Sequence, residues 1–287
     1  MEKTVFLCAG GDLRQVYMCE RLCASGEVYA LGINGADGAK TISSPEDMPV
    51  KADVLVLPLM TGDTLAGAED ISLQRLASQV KTGGIVLGGR LSPGHKKLFA
   101  DMGLASEDYF YRESLAVKNC LPTAEGALMT ALANTADTVF GSKVLILGFG
   151  RTAKCCARSF KAAGADTSVA ARRHEVLAQA WTEGHRTFDI SELAANINSF
   201  DTIINTVPAL ILTKDILAET KAGCLVIDLA SMPGGTDFAA AKRLGINAVH
   251  ALALPAKAAP AATGRLIADT IIEIINERGI TDCLPKN

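Results

Sequence analysis

The sequence predicts an α/β protein with two Rossmann-like parallel-sheet domains, separated by a cleft and linked by helices. Short apolar strands alternate with helical segments along both halves of the chain, which is typical of parallel sheets. A glycine-containing turn follows the first strand of each half, at Gly10-Gly11 and at Gly148-Phe149-Gly150. A length of 287 residues is sufficient for two domains with separate cores.

The predicted domain boundaries follow the positions of these turns. An N-terminal substrate domain is expected over residues 1–121, joined by a C-terminal helix over residues 260–287. A linking helix over residues 122–140 leads to a nucleotide domain over residues 141–259. The elements expected in the first half are strand Thr4–Leu7, helix Leu13–Ala24, strands Val28–Leu31 and Asp53–Leu57, helix Ile71–Lys81 and strand Ile85–Leu87. Those expected in the second half are strand Val144–Leu147, a helix to about Ala163, strands Thr167–Ala171, Asp201–Thr206, Cys224–Leu229 and Ile246–His250, and the final helix Pro260–Arg278.

Composition excludes several classes of protein. A net charge of -3 gives no broad positive field for nucleic acid. No apolar run approaches the length of a membrane span, and the chain is expected to be cytoplasmic. The eight cysteines form no C-x-x-C pair and lie mostly in apolar segments, so buried free thiols are expected rather than disulfides or a metal site.

The most informative stretch is the second glycine turn. The apolar strand Val144–Leu147 leads into G-x-G-x-x-A, and a helical pattern follows. This context predicts a dinucleotide site, with a plain strand–helix turn as the alternative. Gly148 permits the tight turn, Gly150 lets the backbone approach a diphosphate, and the helix N-terminus offers amides to the anion. The residues assigned to the cofactor here are Gly148, Phe149, Gly150, Arg151, Thr152 and Ala153.

The end of the next strand indicates which dinucleotide binds. An NAD enzyme usually has Asp or Glu there, but this chain has Arg172-Arg173, and Glu175 comes late. Two guanidinium groups suit a 2′-phosphate, so NADP is the predicted cofactor, with a solvated basic pair as the alternative. Two later strand ends are expected beside the nucleotide, because ligands bind beyond the carboxyl ends of parallel strands. They comprise Asn205, Thr206, Val207 and Pro208, and Asp228, Leu229, Ala230 and Ser231.

Asp12 makes the first glycine turn a poor nucleotide site, since its carboxylate would repel a diphosphate. This loop is interpreted as a substrate-facing edge or as a simple turn.

Four segments in order along nearly the whole chain resemble the A subunit of bacterial dipicolinate synthase. They are Gly11-Asp12-Leu13-Arg14-Gln15, Leu121-Pro122-Thr123-Ala124-Glu125-Gly126, Leu147-Gly148-Phe149-Gly150-Arg151-Thr152 and Asp228-Leu229-Ala230-Ser231-Met232-Pro233-Gly234-Gly235-Thr236-Asp237-Phe238. The resemblance implies an NADP-linked oxidoreductase that acts with a flavoprotein-like B subunit. The implied product is pyridine-2,6-dicarboxylate, formed from dihydro- or 4-hydroxytetrahydrodipicolinate in the mother cell of a sporulating bacterium. A homo-oligomer is left open.

A dicarboxylate substrate requires fixed cations or N–H donors. Arg14 is a candidate for bidentate pairing with one carboxylate, and Lys257 is a second cation. The amides of Gly11 and Asp12, together with Thr61 and Thr123, are candidate donors. For each residue, a solvated or capping role is the alternative.

Few groups are placed to move a proton. Glu125 is the candidate base, with Thr123 beside it as a possible helix cap; otherwise Glu125 complements the dipole of the linking helix from its first turn. His250 at the last strand end is interpreted as structural rather than catalytic, and His95, His174 and His185 as peripheral.

Two other functional classes stay open. A 2-hydroxyacid-type NADP dehydrogenase would need a histidine–carboxylate pair in the C-terminal loops of the nucleotide domain. One of these loops holds Pro233-Gly234-Gly235 instead. In the second alternative, the chain only binds nucleotide and its partner carries out the chemistry.

Overall fold

The computed structural model describes residues 3–280, so the predictions that concern residues 1–2 and 281–287, including Cys283, lie outside the described residues. Contacts between residues divide the chain into two units. The first runs to Asn119 and resumes at Pro260, and the second is Cys120–Ala259.

The elements are numbered in chain order. Up to Asn119 they are β1 Thr4–Ala9, α1 Leu13–Leu22, β2 Gly26–Leu31, β3 Lys40–Ile42, β4 Ala52–Val56, α2 Leu73–Ala77, β5 Val80–Gly88, α3 Pro93–Asp101, β6 Ala105–Asp108 and α4 Glu113–Lys118. From Cys120 onward they are α5 Cys120–Asn134, β7 Lys143–Leu147, α6 Arg151–Ala162, β8 Asp166–Ala171, α7 His174–Thr182, β9 Arg186–Asp189, α8 Leu193–Asn196, β10 Thr202–Asn205, α9 Lys214–Ala218, β11 Leu225–Asp228, α10 Phe238–Leu244, β12 Asn247–His250, α11 Leu254–Ala258 and α12 Pro260–Glu277.

Each unit is built on one six-stranded parallel sheet with the strand order of a Rossmann fold. The order is β3-β2-β1-β4-β5-β6 in the first unit and β9-β8-β7-β10-β11-β12 in the second. The order reverses between β1 and β4, and between β7 and β10, which is where such sheets place their ligands. The predicted α/β class, with two Rossmann-like parallel-sheet domains, is confirmed.

In the first unit, alternate residues of the apolar strands feed two cores. Phe6 and Cys8 of β1 face α1 and α12, whereas Leu7 and Ala9 face α2 and α3. Helix α12 packs closely on α1, and a Cβ on Gly264 would lie 2.3 Å from the carbonyl oxygen of Arg14. The second unit likewise has a core on each face of its sheet. No helix of the described chain is long and apolar enough to cross a membrane.

The helix expected at 122–140 begins and ends earlier than predicted. Helix α5 starts at Cys120, because Pro122 is tolerated within a first turn, and it packs on α6 and α11 in the second unit. Thr123 is therefore inside the helix and is not its cap, and Glu125 lies in the second turn. The expectation of a capping Thr123 and a first-turn Glu125 is wrong.

Candidate functional site

The turn between β7 and α6 needs its two glycines for different reasons. Gly148 has a φ of +86°, and a Cβ there would lie 2.9 Å from Cγ2 of Val207. The fold itself therefore requires this glycine. Gly150 has a φ of -77°, and a Cβ there would meet no protein atom within 4 Å. Protein packing does not explain the second glycine, and the space beside it is open to a ligand.

Helix α6 begins beside this space without a side-chain cap. Gly150 is the N-cap residue, and the amide of Lys154 makes the first bond of the helix, 2.9 Å to the carbonyl oxygen of Gly150. The amides of Thr152 and Ala153 thus have no acceptor within the helix. Amide donors, a helix dipole and an open approach together fit a diphosphate.

A cavity of about 470 Å³ extends from this turn. It is lined by Gly148, Phe149, Gly150, Ala171, Arg172, Arg173, Val176, Ile190, Val207 and Ile211. A neighbouring cavity of about 260 Å³ shares Arg172, Ile190, Val207 and Ile211. Both have sizes and mainly apolar walls that suit the base and sugar of a nucleotide. The sequence analysis did not predict that Ile190 and Ile211 line these cavities. Both residues lie far along the chain from the glycine turn, so no local pattern connects them with it.

Two exposed arginines stand at the mouth of the cavity, after β8. Nη1 of Arg173 lies 3.3 Å from Oε1 of Glu175. Arg172 lines both cavities and has no ion pair among the residues that the structure describes. No carboxylate side chain from residues 3–280 lines either cavity. The lining therefore holds positive charge and offers no carboxylate to a ribose diol.

The side chains of three residues assigned to the cofactor point elsewhere. Phe149 is 6% exposed, and its ring meets the ring of His185 edge-on at 5.8 Å. Ala153 is fully buried, and the hydroxyl of Thr206 donates to the carbonyl of Leu147 over 2.8 Å. These side chains stabilise the turn, and of the three residues Phe149 lines the cavity.

The carboxylate of Asp228 is the centre of a buried network rather than a ligand contact. Asp228 is fully buried and accepts four hydrogen bonds of 2.7 to 3.0 Å. The donors are Nδ2 of Asn205, the amides of Ala230 and Gly235, and the hydroxyl of Thr236. This network holds the loop that follows β11 against the end of β10.

Asn205 is equally occupied. Its Nδ2 also donates to the carbonyl of Val207 over 3.1 Å, and its Oδ1 accepts from the amide of Val207 at 3.1 Å. The polar side-chain atoms of Asn205 and Asp228 thus bind the protein itself, and the expectation that these two strand ends lie beside the nucleotide stays a prediction. Among their neighbours, Val207 lines the cavity, Pro208 and Ser231 are exposed, Leu229 is half-buried, and Ala230 is buried.

The last strand end is also structural. Nε2 of His250 lies 3.1 Å from the carbonyl oxygen of Ala230, and the imidazole stacks on Phe238 with 5.0 Å between ring centroids. This placement agrees with the structural interpretation of His250.

The backbone amides of the first glycine turn donate to acceptors within the protein. The amide of Gly11 donates to the carbonyl of Ala66 over 2.8 Å, and that of Asp12 donates to Oε1 of Gln15 over 2.9 Å. Asp12 in turn accepts from the amide of Arg14, which completes a capping box at the start of α1. Both amides that were candidate donors to the substrate are thus taken up by the cap of α1 and the neighbouring loop.

Arg14 and Thr61 are likewise engaged. Asp12 pairs bidentately with Nε and Nη2 of Arg14, at 2.9 and 2.6 Å, and Arg14 is only 8% exposed. The hydroxyl of Thr61 donates to the carbonyl of Pro58 over 2.9 Å. Thr61 therefore stabilises its loop, and Arg14 already has a carboxylate partner.

The remaining predicted residues lie in the second unit. Glu125 is exposed on α5, Thr123 is half-buried on the same helix, and Lys257 is exposed at the end of α11. Within the described chain, no group of three or more His, Cys, Asp and Glu side chains is arranged to hold a metal ion.

One pair in the first unit was missed from the sequence. Nε2 of His95 lies 3.0 Å from Oδ1 of Asp63, and Nδ1 of His95 accepts from the amide of Ser92 at 3.3 Å. His95 is buried at the start of α3 and is not peripheral as expected. The separation of these residues along the chain left no local signal for the pair.

Comparisons with known proteins cover both units. Residues 5–110 match the family of N-terminal domains from the A subunit of dipicolinate synthase, and residues 121–252 match the NAD-binding domain of S-adenosyl-L-homocysteine hydrolase. The A subunit of dipicolinate synthase from Bacillus subtilis (strain 168) is 32% identical over 280 residues, which cover 93% of this chain and 94% of that protein.

Solved structures agree with this match. The A subunit of dipicolinate synthase from Bacillus halodurans superposes with a TM-score of 0.84 at 29% identity, covering 96% of this chain and 98% of that one. The A chain of dipicolinate synthase from Bacillus subtilis gives 0.84 at 30% identity, with 97% of each chain covered. A transhydrogenase from Sinorhizobium meliloti shares the fold, with a TM-score of 0.73 at 17% identity over 96% of this chain and 94% of that one.

Proposed function

Because the chain belongs to the family of dipicolinate synthase A subunits and has a domain that binds a nicotinamide dinucleotide, we propose that it forms dipicolinate with NADP⁺ as the oxidant. The chain is a dehydrogenase-like subunit. The substrate in this proposal is dihydro- or 4-hydroxytetrahydrodipicolinate, and the product is pyridine-2,6-dicarboxylate.

The observation that carries the proposal is the open space at Gly150. Protein packing leaves that space unexplained, and the first amides of α6 border it. Arg172 extends the same surface with a charge that no described carboxylate neutralises. A 2′-phosphate would pair with that guanidinium as an opposite charge and accept charge-assisted hydrogen bonds from it, whereas a ribose diol carries no charge. These features support NADP over NAD.

The redox chemistry belongs to the cofactor, which when bound accepts a hydride from a ring carbon of the substrate. The balance of the reaction also releases one proton from the neighbouring ring atom, and a 4-hydroxytetrahydrodipicolinate substrate must in addition lose one molecule of water. Glu125 is the proposed acceptor of that proton, since its carboxylate is exposed on α5, and Thr123 is the proposed polar group beside it. Aromatisation is itself strongly favourable, so the base need not be strong.

The names of the relatives support a partner. They are A subunits, which implies a second kind of polypeptide, and we assign this role to a flavoprotein-like B subunit. The cytoplasm of the mother cell in a sporulating bacterium is the proposed location. A 2-hydroxyacid-type NADP dehydrogenase and a nucleotide-binding protein without chemistry of its own are the alternatives.

An assay of hydride transfer tests the proposal directly. Purified chain with NADP⁺ and dihydrodipicolinate should produce NADPH and dipicolinate in equal amounts. Dipicolinate formed only when the B subunit is present would favour the nucleotide-binding role. NADPH formed from 2-hydroxyacids instead of dihydrodipicolinate would contradict the proposal.

A further inference from the structure

Arg90, at the carboxyl end of β5, has an unusual backbone conformation. Its φ is +52°, and within residues 3–280 the other non-glycine residue with positive φ is Ala253. Side chains with a Cβ rarely adopt this region, because the Cβ crowds the following carbonyl. Backbone of this kind persists where the surroundings enforce it, often at ligand sites.

Hydrogen bonds and close packing impose this backbone conformation on Arg90. The carboxylate of Asp108, at the end of β6, accepts from the amide of Arg90 at 3.1 Å and from the amide of Leu91 at 2.8 Å. On the other side, a Cβ on Gly89 would lie 2.2 Å from the carbonyl oxygen of Leu59, so the loops after β4 and β5 are in tight contact. The backbone of Arg90 is thus clamped between two neighbouring strand ends.

The guanidinium of Arg90 is placed differently from those of other arginines in this unit. Its Cζ lies 4.5 Å from the centroid of the Phe110 ring, and the side chain is exposed. Arg14, Arg75 and Arg112 each pair with a carboxylate, whereas among residues 3–280 neither Arg90 nor the exposed Arg265 has an ion pair, and of these two only Arg90 stacks on an aromatic ring. Stacking on a ring face leaves the N–H edge of a guanidinium available to a planar acceptor.

The loops around Arg90 also present apolar surface. The loop after β4 is bonded to the loop after β5 through the amide of Thr61 and the carbonyl of Gly89 at 3.0 Å. The loop after β4 carries the exposed side chain of Met60, at 56%, and a further apolar side chain of this unit, Leu13 at 51%, is exposed at the start of α1. A flat ring that bears a carboxylate matches a surface of this composition.

We propose that Arg90 binds a carboxylate of the dicarboxylate substrate on the first unit, and this assignment rests on the proposed function. The guanidinium of Arg14 is already paired with the carboxylate of Asp12, whereas no described carboxylate pairs with the guanidinium of Arg90. The fixed backbone directs the guanidinium, and Phe110 holds its plane. The ring of the substrate lies on the apolar side chains of the adjoining loops.

Calorimetric titration of the full chain with dipicolinate tests the assignment. Arg90→Gln should weaken dipicolinate binding about 10- to 100-fold, the scale of one or two charged hydrogen bonds. Arg90→Lys should retain part of the affinity for dipicolinate, since lysine keeps the positive charge but cannot bind a carboxylate bidentately. Arg21→Gln is the matched control, because it removes an exposed arginine charge in the same unit, where Nε of Arg21 lies 3.0 Å from Asp269. Arg21→Gln should bind dipicolinate with the wild-type affinity. The affinity for NADPH should be unchanged in all three variants.

The outcomes separate the two proposals. If the wild-type chain binds no dipicolinate, the proposed function fails and the role of Arg90 fails with it. If the wild-type chain binds dipicolinate and Arg90→Gln binds it equally well, only the assignment of Arg90 is overturned.

A second measurement covers variants that do not fold. Modification of wild-type Arg90 by phenylglyoxal, followed by mass spectrometry, should be suppressed by dipicolinate and not by pyridine. Equal modification with and without dipicolinate would also overturn the assignment.

Discussion

Gly148 and Gly150 stand two positions apart in the turn after β7, and the structure gives them opposite physical roles. Gly148 is fixed by its left-handed backbone and by contact with Val207, whereas Gly150 is surrounded by space. The sequence predicted both glycines, because the strand, turn and helix that give them meaning are adjacent in the chain.

Alanine at each position should therefore separate stability from binding. Gly148→Ala should lower the free energy of unfolding by about 1–2 kcal/mol, because of its positive φ. Gly150→Ala should leave that free energy nearly unchanged and weaken NADPH binding at least about 10-fold, since the added methyl occupies the approach of the diphosphate. Urea denaturation and calorimetry measure the two effects. Unimpaired NADPH binding by Gly150→Ala would show that this space is not a phosphate site.

His185 provides a pH-dependent contribution to stability. It is 3% exposed, and its Nδ1 lies 2.7 Å from the hydroxyl of Thr167. Burial, assisted by Lys161 and opposed by Glu183, lowers the pKa of His185 below its ordinary value. A depressed folded-state pKa means that the unfolded chain takes up a proton first as pH falls. Stability should thus be complete above about pH 6.5 and be lost as pH falls below that value.

Urea denaturation between about pH 7.5 and 5.5 measures this loss. His185→Asn should flatten the dependence on pH, whereas His174→Asn, at an exposed position on α7, should keep the wild-type slope. A wild-type slope in His185→Asn would assign the loss of stability to other groups.

At the scale of elements, the loop after β11 depends on contacts that no local pattern encodes. Asn205 and Asp228 are 23 residues apart in the chain, and the other donors follow Asp228 in an irregular loop. The sequence placed these residues correctly at neighbouring strand ends, but it could not show that their polar groups bind each other.

Asp228→Asn should test the buried network. An amide presents a donor where one carboxylate oxygen accepts, so it would face the amide of Gly235 or that of Ala230. The expected loss in the free energy of unfolding is on the order of 3 kcal/mol, the scale of a disrupted charged hydrogen bond. Asp215→Asn, at an exposed position on α9, is the matched control and should change it little. Equal stability of the two variants in urea would contradict a structural role for Asp228.

The strands that the sequence missed are edge strands with little apolar content. The edge strands β6 and β9 consist of Ala105–Asp108 and Arg186–Asp189, neither of which contains a fully buried residue. By contrast, central strands such as β4 are buried at every position and were predicted to within a residue at each end. The left-handed backbone of Arg90 also had no signature in sequence, because it is imposed by Asp108 from another strand.

At the scale of the whole molecule, each unit has the same strand order, but only one carries the features of a dinucleotide site. In the first unit, Asp12 and Gln15 close the turn after β1 with their own bonds. In the second unit, the turn after β7 has no side-chain cap and opens on a cavity of about 470 Å³. In the function proposed above, the second unit binds the cofactor and the first unit binds the substrate.

The most direct test of this account is the ratio of the NADPH and NADH dissociation constants, measured by calorimetry on the full chain. The wild-type chain should bind NADPH more tightly, because Arg172 and Arg173 stand where NAD enzymes carry a carboxylate. In the double variant Arg172→Asp, Arg173→Ala, NADPH binding should weaken by about 2–4 kcal/mol while NADH binding changes little. If the wild-type chain instead binds NADH as tightly as NADPH, the assignment of these arginines to a 2′-phosphate is contradicted.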